Sequence, residues 1–186
     1  MILLSAGHFP EQPGACYKGW CEHQEAMLWV REIMSHTQPG VEFVPTGSLK
    51  SKVDYVNRSK AILAIEIHFN SAKIWRDLNN DGKVTDDEVQ NVGSGALTLY
   101  APGSARGKAY ADMFQSELEP AFGRHWNGVM EGWYRMDKDN GPDYFLSKTN
   151  CPALILEPEF IHHMETLQKN RSAVCYGLAQ LMNNLL

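Results

Sequence analysis

Three short apolar runs, each delivering a residue that can bind or use a metal, constrain this chain more than any other feature. They are Met1-Ile-Leu-Leu-Ser-Ala-Gly7 ahead of His8, Ala61-Ile-Leu-Ala-Ile-Glu-Ile67 ahead of His68, and Pro152-Ala-Leu-Ile-Leu156 ahead of Glu157. Each is rich in Ile and Leu and bounded by polar or turn-forming residues, as buried strands are. In an open α/β sheet, ligands collect outside the carboxyl ends of the strands. Three such strands would bring His8, His68 and Glu157 to one sheet edge, which is how a hydrolytic metal site is assembled.

The rest of the chain alternates in the same rhythm. Ala26, Trp29, Val30 and Ile33 recur at helical spacing between Cys21 and about Met34, after a Gly/Pro-bearing loop over 8–20. A short strand is expected at Val41–Val44, and a helix over Leu49–Ser59 with Val53 and Val56 on one side. Ala96–Tyr100 reads as a strand and Ala105–Phe122 as a helix, with Ala109, Met113, Leu118 and Ala121 inward. Residues 123–150 give no clear element beyond a strand at Tyr144–Leu146, and a C-terminal helix carries Val174, Leu178 and Leu181. Strands alternating with helices predict a single α/β domain over 1–186, its mostly parallel twisted sheet flanked by helices on both faces. The polar segment at 71–93 is an insertion in that pattern.

Composition narrows the partners. A net charge of −5 argues against general affinity for nucleic acid. No apolar stretch approaches the about 20 residues that span a bilayer, so no membrane insertion is expected. The N-terminus has no basic region and only a brief apolar run, so no signal peptide is read and synthesis in the (host) cytoplasm is expected. Cys16, Cys21, Cys151 and Cys175 lack both zinc-site spacing and disulfide-scaffold density, and are expected as free thiols, a Cys16–Cys21 link being the alternative.

The loop after the first strand reads His8-Phe-Pro-Glu-Gln-Pro13-Gly14-Ala15, and Glu22 follows fourteen residues after His8 at a helix start. The second run ends Ile67-His68-Phe-Asn70, and the third reads Pro152-Ala-Leu-Ile-Leu-Glu157-Pro-Glu159-Phe160. In order and spacing this resembles the zinc-dependent N-acetylmuramoyl-L-alanine amidases of bacteria and their phages (amidase type 3), from residue 1 to about 160. The departures are Phe9-Pro10 for a Gly pair, Gln12 for Asp, Glu66 for Ser and Glu159 for Gly. The resemblance implies a phosphorylase/hydrolase-like fold, with zinc held by His8, Glu22 and His68 and a catalytic Glu157. Two His and one Glu leave a tetrahedral position open for water, as catalytic zinc requires. A carboxylate beside the metal would carry the proton from that water to the departing amine.

Neighbouring residues have plainer readings. Glu25, one turn beyond Glu22, is expected as a solvated helix residue. Glu66 shares a strand face with His68 and is read equally as orienting an imidazole or pairing with a Lys or Arg. Glu159 is expected as an outward loop carboxylate. His23, His36, His125, His162 and His163 are expected to be structural or at the surface. His125, Trp126, Trp133 and Tyr134 are expected to form core, a glycan or peptide groove being the alternative.

Within the inserted segment, Asp77-Leu-Asn79-Asn-Asp81-Gly82-Lys83-Val-Thr85-Asp-Asp-Glu88 fits the EF-hand loop at every defined position. Calcium would take oxygens from Asp77, Asn79, Asp81, the Lys83 carbonyl, Thr85 and Glu88, with only weak flanking helices. A lone loop of this kind is expected to be a structural clip. The amidase resemblance implies a peptidoglycan hydrolase, expected as a monomer, cutting between N-acetylmuramic acid and L-alanine with a zinc-activated water. A phage endolysin that reaches the wall after the membrane is breached is the expected setting. The rivals are another zinc amide or peptide hydrolase, and a non-catalytic calcium-dependent wall-binding module.

Overall fold

Runs that are apolar on both faces can be satisfied only between two layers of helices, and the computed structural model of the protein places them there. It describes residues 1–78, 81–83, 85, 88–134 and 138–186. Along the chain run β1 (Ile2–Ala6), the two-residue strands β2 (Cys16–Tyr17) and β3 (Trp20–Cys21), α1 (Glu22–His36), β4 (Val41–Phe43), α2 (Leu49–Arg58) and β5 (Leu63–Ile67). Then follow β6 (Ala72–Trp75), β7 (Val89–Val92), β8 (Ala96–Tyr100), α3 (Ala105–Phe122), β9 (Arg124–Glu131), α4 (Tyr144–Lys148), β10 (Ala153–Glu157) and α5 (Met164–Asn184).

The main sheet has the order β4-β1-β5-β10-β8-β9. Its first four strands are parallel, β10 pairs antiparallel with β8, and β8 runs parallel to β9. Side chains alternate between the two faces. Ile2, Leu4, Ile65, Ile67, Leu154 and Leu156 enter a core closed by α1, α3 and α5. Leu3, Ala64, Leu97, Ala153 and Ile155 enter a second core with Val53 and Val56 of α2 and Phe145 and Leu146 of α4. Each such Leu, Ile or Phe stabilises the sheet by roughly 1.5–3 kcal/mol. The α/β class with helices on both faces is therefore as the sequence predicts. Among the described residues, no helix is long and apolar enough to cross a membrane.

Several local expectations are corrected. Tyr144–Lys148 is a helix, not a strand, because Asp143 caps it by accepting from the Leu146 amide. The edge strand β9 occupies the region that showed no clear element. In α3 the inward stripe is Ala111, Phe114, Leu118 and Phe122, with Ala109 and Met113 exposed. Cys16 and Cys21 face each other across the β2–β3 pair and form a disulfide, whereas Cys151 and Cys175 are free. Within the inserted segment, the loop at 77–88 is flanked by the antiparallel strands β6 and β7 rather than by helices.

Candidate metal and catalytic site

The parallel register brings the three run ends together. Ala6 pairs with Ile67 and Leu156 with Ile67, so Gly7, His68 and Glu157 follow at one edge. The Gly7 amide donates to the Ile67 carbonyl and the His68 amide to the Leu156 carbonyl. Ser5, Glu66, His68 and Glu157 thus share the face covered by α2 and α4. Glu22, at the first turn of α1, closes the group from the side, its amide donating to the Ala15 carbonyl.

Glu22 binds both imidazoles. His8 Nε2 lies 3.0 Å from Glu22 Oε2, and His68 Nδ1 lies 2.8 Å from Glu22 Oε1. Glu22 Oε2 also accepts from the Ala15 amide and Oε1 from the Phe69 amide. His68 Nε2 meets Glu66 Oε2 at 3.1 Å, and Glu66 Oε1 accepts from Lys52 Nζ at 2.7 Å and from Ser5 Oγ at 3.2 Å. Both readings of Glu66 are therefore realised at once. Breaking a buried pair such as Lys52–Glu66 by removing one partner costs about 3–5 kcal/mol.

The electrostatics follow from this packing. Burial pushes the Glu22 carboxyl up, but hydrogen bonds from His68 and His8 outweigh it and hold the group well below the usual carboxylate range. Glu66 is likewise opposed by burial, yet His68 and Lys52 hold it down at about 2. The His68 imidazole is disfavoured as a cation by burial, but Glu22 and Glu66 raise it well above its ordinary value. Glu157 goes the other way. Burial, opposed by His68 and reinforced by Glu22, Glu66 and Asp143, pushes it up to about 8, and its Oε2 is buried without a hydrogen-bond partner. One environment thus drives two neighbouring carboxyls in opposite directions, the pattern by which paired acids can divide different tasks.

Two glycines make this closeness possible. A Cβ on Gly7 would stand 2.7 Å from the His68 ring, and one on Gly14 would stand 2.5 Å from Glu22 Oε2 and His8 Cδ2. Gly14 also has φ +78°, a conformation that costs other residues roughly 1–2 kcal/mol. Gly14→Ala is expected to weaken metal binding at least about tenfold while circular dichroism stays unchanged, because both donors must be displaced. Wild-type metal affinity in that variant would show that the loop yields without moving them.

A cavity of about 320 Å³ opens beside the group, lined among others by His8, Phe9, Tyr134, Asp143, Phe145 and Ile155. A larger one of about 560 Å³, between Ala101, Arg106, Asn150 and Pro152, lies at the opposite edge of the sheet. His8, Glu22 and His68 are brought together as a group that could hold a metal ion, their donor atoms all within 4.8 Å of one another. Donors around tetrahedral zinc stand about 3.4 Å apart, given bonds of roughly 2.0–2.1 Å. With hydrogen-bonded separations of 2.8 and 3.0 Å already in place, the residues fit such an ion.

Other expectations fare differently. Glu25 is buried, not solvated: it accepts from Trp29 Nε1 and pairs with Arg171 across α1 and α5. Glu159 is buried as well, its Oε1 accepting from the Gly95 and Phe160 amides, so it ties the β7–β8 turn to the strand end. His23 donates from Nδ1 to the Gly7 carbonyl, and His163 from Nε2 to the Gly93 carbonyl. Trp126 is 85% exposed at the start of β9, whereas His125 packs on Phe160 and Tyr134 lines the site cavity, so these aromatics form no single groove. In the inserted loop, Asp77 accepts from the Asp81 and Gly82 amides, Gly82 has φ +81°, and Glu88 accepts from the Leu78 and Thr85 amides. Lys83 donates its amide to Asp81, and Asn79 lies outside the described residues. Lys52 escaped sequence reasoning. Its signal was position: it stands between Leu49 and Val56 in the apolar phase of α2.

No curated protein sequence matches the chain. Solved structures with the same fold include an N-acetylmuramoyl-L-alanine amidase from Clostridium difficile 630, 17% identical with TM-score 0.72, over 96% of this chain and 92% of that one. The catalytic domain of CwlV, an N-acetylmuramoyl-L-alanine amidase from Bacillus (Paenibacillus) polymyxa var. colistinus, is 18% identical with TM-score 0.71, over 99% and 96%. The catalytic domain of CD27L, an endolysin targeting Clostridia difficile, is 19% identical with TM-score 0.65, over 98% and 96%. The family model of the N-acetylmuramoyl-L-alanine amidases (Amidase_3) matches residues 2–176. With nearly the whole chain matched and its His, Glu, His and Glu on one sheet edge, the protein belongs to the N-acetylmuramoyl-L-alanine amidase family, hydrolases of peptidoglycan amide bonds.

Proposed function

We propose that this protein cuts the amide between the lactyl group of N-acetylmuramic acid and L-alanine, with zinc held by His8, Glu22 and His68. The observation that carries the reading is Glu157, a carboxyl raised by burial whose Oε2 has no hydrogen-bond partner, at the strand end next to His68 and within electrostatic reach of Glu22. When bound, zinc supplies a Lewis acid for the scissile carbonyl, acidifies the attacking water and favours the ionised form of Glu157. Glu157 accepts a proton from the water as its oxygen adds to the carbonyl carbon. It then delivers that proton to the amide nitrogen as the C–N bond breaks, leaving a lactyl carboxylate and a free L-alanine amine. Glu66 holds His68 from behind, and the cavity walled by Phe9, Tyr134 and Phe145 receives substrate away from bulk water.

Digestion of purified peptidoglycan with mass spectrometry of the products tests this. Free N-terminal L-alanine on intact stem peptides is the expected result. Cleavage elsewhere in the peptide would keep the metal chemistry and discard the bond. Wall binding without any cleavage by zinc-loaded protein would move the weight to a non-catalytic module. Its likeness to the CD27L catalytic domain supports an endolysin as the biological setting, tested by lysis of permeabilised cells from outside.

We further propose calcium in the loop at 77–88, with Asp77, Asn79, Asp81, Lys83, Thr85 and Glu88 as ligands. The turn at Gly82 and the inward carboxylates of Asp77 and Glu88 support it. Flanked by a β-hairpin rather than two helices, the loop would act as a clip, not a switch. Calcium at about 100 times its Kd is expected to add roughly 2.7 kcal/mol, raising Tm by about 5–10 °C. Asp81→Ala should remove that response, and a calcium titration that leaves Tm unmoved in the wild type would discard the site.

A further inference from the structure

Beneath the site lies a lysine almost without solvent contact. Lys52 on α2 is 2% exposed, and its Nζ donates to the carbonyl oxygen of Ala6, to that of His8 at 2.8 Å and to Glu66 Oε1 at 2.7 Å. An ammonium has three donors, and lysine is seldom fully buried unless its charge and donors are matched. Here the three acceptors lead to two of the three candidate ligands. His8 has φ 56°, in the left-handed region, with its Nε2 aimed at Glu22, and the carbonyl that Lys52 holds belongs to this same residue. Glu66 is held at Oε1 by Lys52 and meets His68 Nε2 through Oε2, which leaves His68 Nδ1 facing Glu22.

We propose that Lys52 is a positioning residue that presets both histidines for metal capture, His8 through its backbone and His68 through Glu66. The inference rests on the metal reading proposed above. Neutralising Glu66 would account for one of the three contacts. The other two go to main-chain carbonyls at the end of β1, where the reward is the shape of the His8 turn. The helix α2 is itself anchored there by Val53 and Val56 in the core, so the ammonium is delivered from a rigid support.

Cobalt(II) titration of the full chain, followed by visible absorption and by competition with zinc, tests this in wild type, Lys52→Met, Lys52→Arg and the double variant Lys52→Met/Glu66→Gln. The single Met variant leaves Glu66 without a counterion, whereas the double variant removes both charges; whichever is folded by circular dichroism decides. The expected result is a loss of about 10- to 100-fold in metal affinity and an altered cobalt spectrum, with substantial recovery in Lys52→Arg, whose guanidinium keeps both charge and donors. Wild-type affinity and spectrum in the charge-balanced double variant would overturn the proposal and leave Lys52 a counterion. Failure of the wild type itself to take up cobalt or zinc would overturn the metal reading first, and is read separately from the variants.

Discussion

Replacing Glu157 with glutamine is expected to lower kcat by about 10²- to 10⁴-fold while the protein stays folded and binds metal as before. On the rate scale that is roughly 2.7–5.4 kcal/mol of transition-state stabilisation. The expectation rests on what Glu157 does not do. Its Oε2 has no hydrogen-bond partner, and burial beside Glu22, Glu66 and Asp143 disfavours its charge. Little folding energy therefore depends on its being a carboxylate. The neutral amide matches the form that burial already favours, so stability should stay within about 1 kcal/mol of wild type. The nearby alternative, Glu159, is already engaged by two backbone amides and is a poor proton carrier. A Glu157→Gln variant with more than about a tenth of wild-type kcat would remove this residue from the chemistry.

Stripping the metal with a chelator is expected to abolish turnover and to lower Tm by about 5–11 °C relative to protein with zinc at about 100 times its Kd. The donors follow β1 and β5 and open α1, elements far apart in sequence, so an ion that binds only the folded arrangement stabilises all three contacts at once. Without the ion, Glu22 between two imidazoles already keeps the group closed, so the stripped protein should remain folded and recover on readdition of zinc. Glu22→Ala and His8→Ala should each abolish the zinc-dependent rise. Full activity and an unshifted Tm in protein shown by elemental analysis to carry no zinc would sink the assignment.

The central strands, and the residues they bring together at their ends, were legible because their signals are local. A strand buried on both faces must be apolar throughout, and β1, β5 and β10 are. What was not legible lies where local and tertiary preferences diverge. β9 alternates burial irregularly along Arg-His-Trp-Asn-Gly, an edge strand with too weak a pattern to read. Tyr144-Phe-Leu has strand propensity, but the Asp143 cap and packing on the second core make it a helix. The buried Glu25 sits at an apolar phase of α1, but a carboxylate there reads as surface unless its partner, Arg171, is known. The Cys16–Cys21 bridge depends on a two-stranded turn whose strands are each two residues long, below what any pattern resolves.

Sequence by itself determined the α/β class, the order of the donors and the side of each strand on which they stand, because side-chain alternation and helical period are properties of neighbouring residues. Tertiary structure alone decided how those donors share charge. Glu22 meets His68 across 46 residues, and Lys52 meets Glu66 across 14 and the Ala6 carbonyl across 46. Such contacts depend on strand order and on the approach of α2, which no local pattern encodes. The same packing drives Glu22 and Glu66 down and Glu157 up, so three glutamates of identical intrinsic acidity come to differ in acidity through burial and neighbours alone.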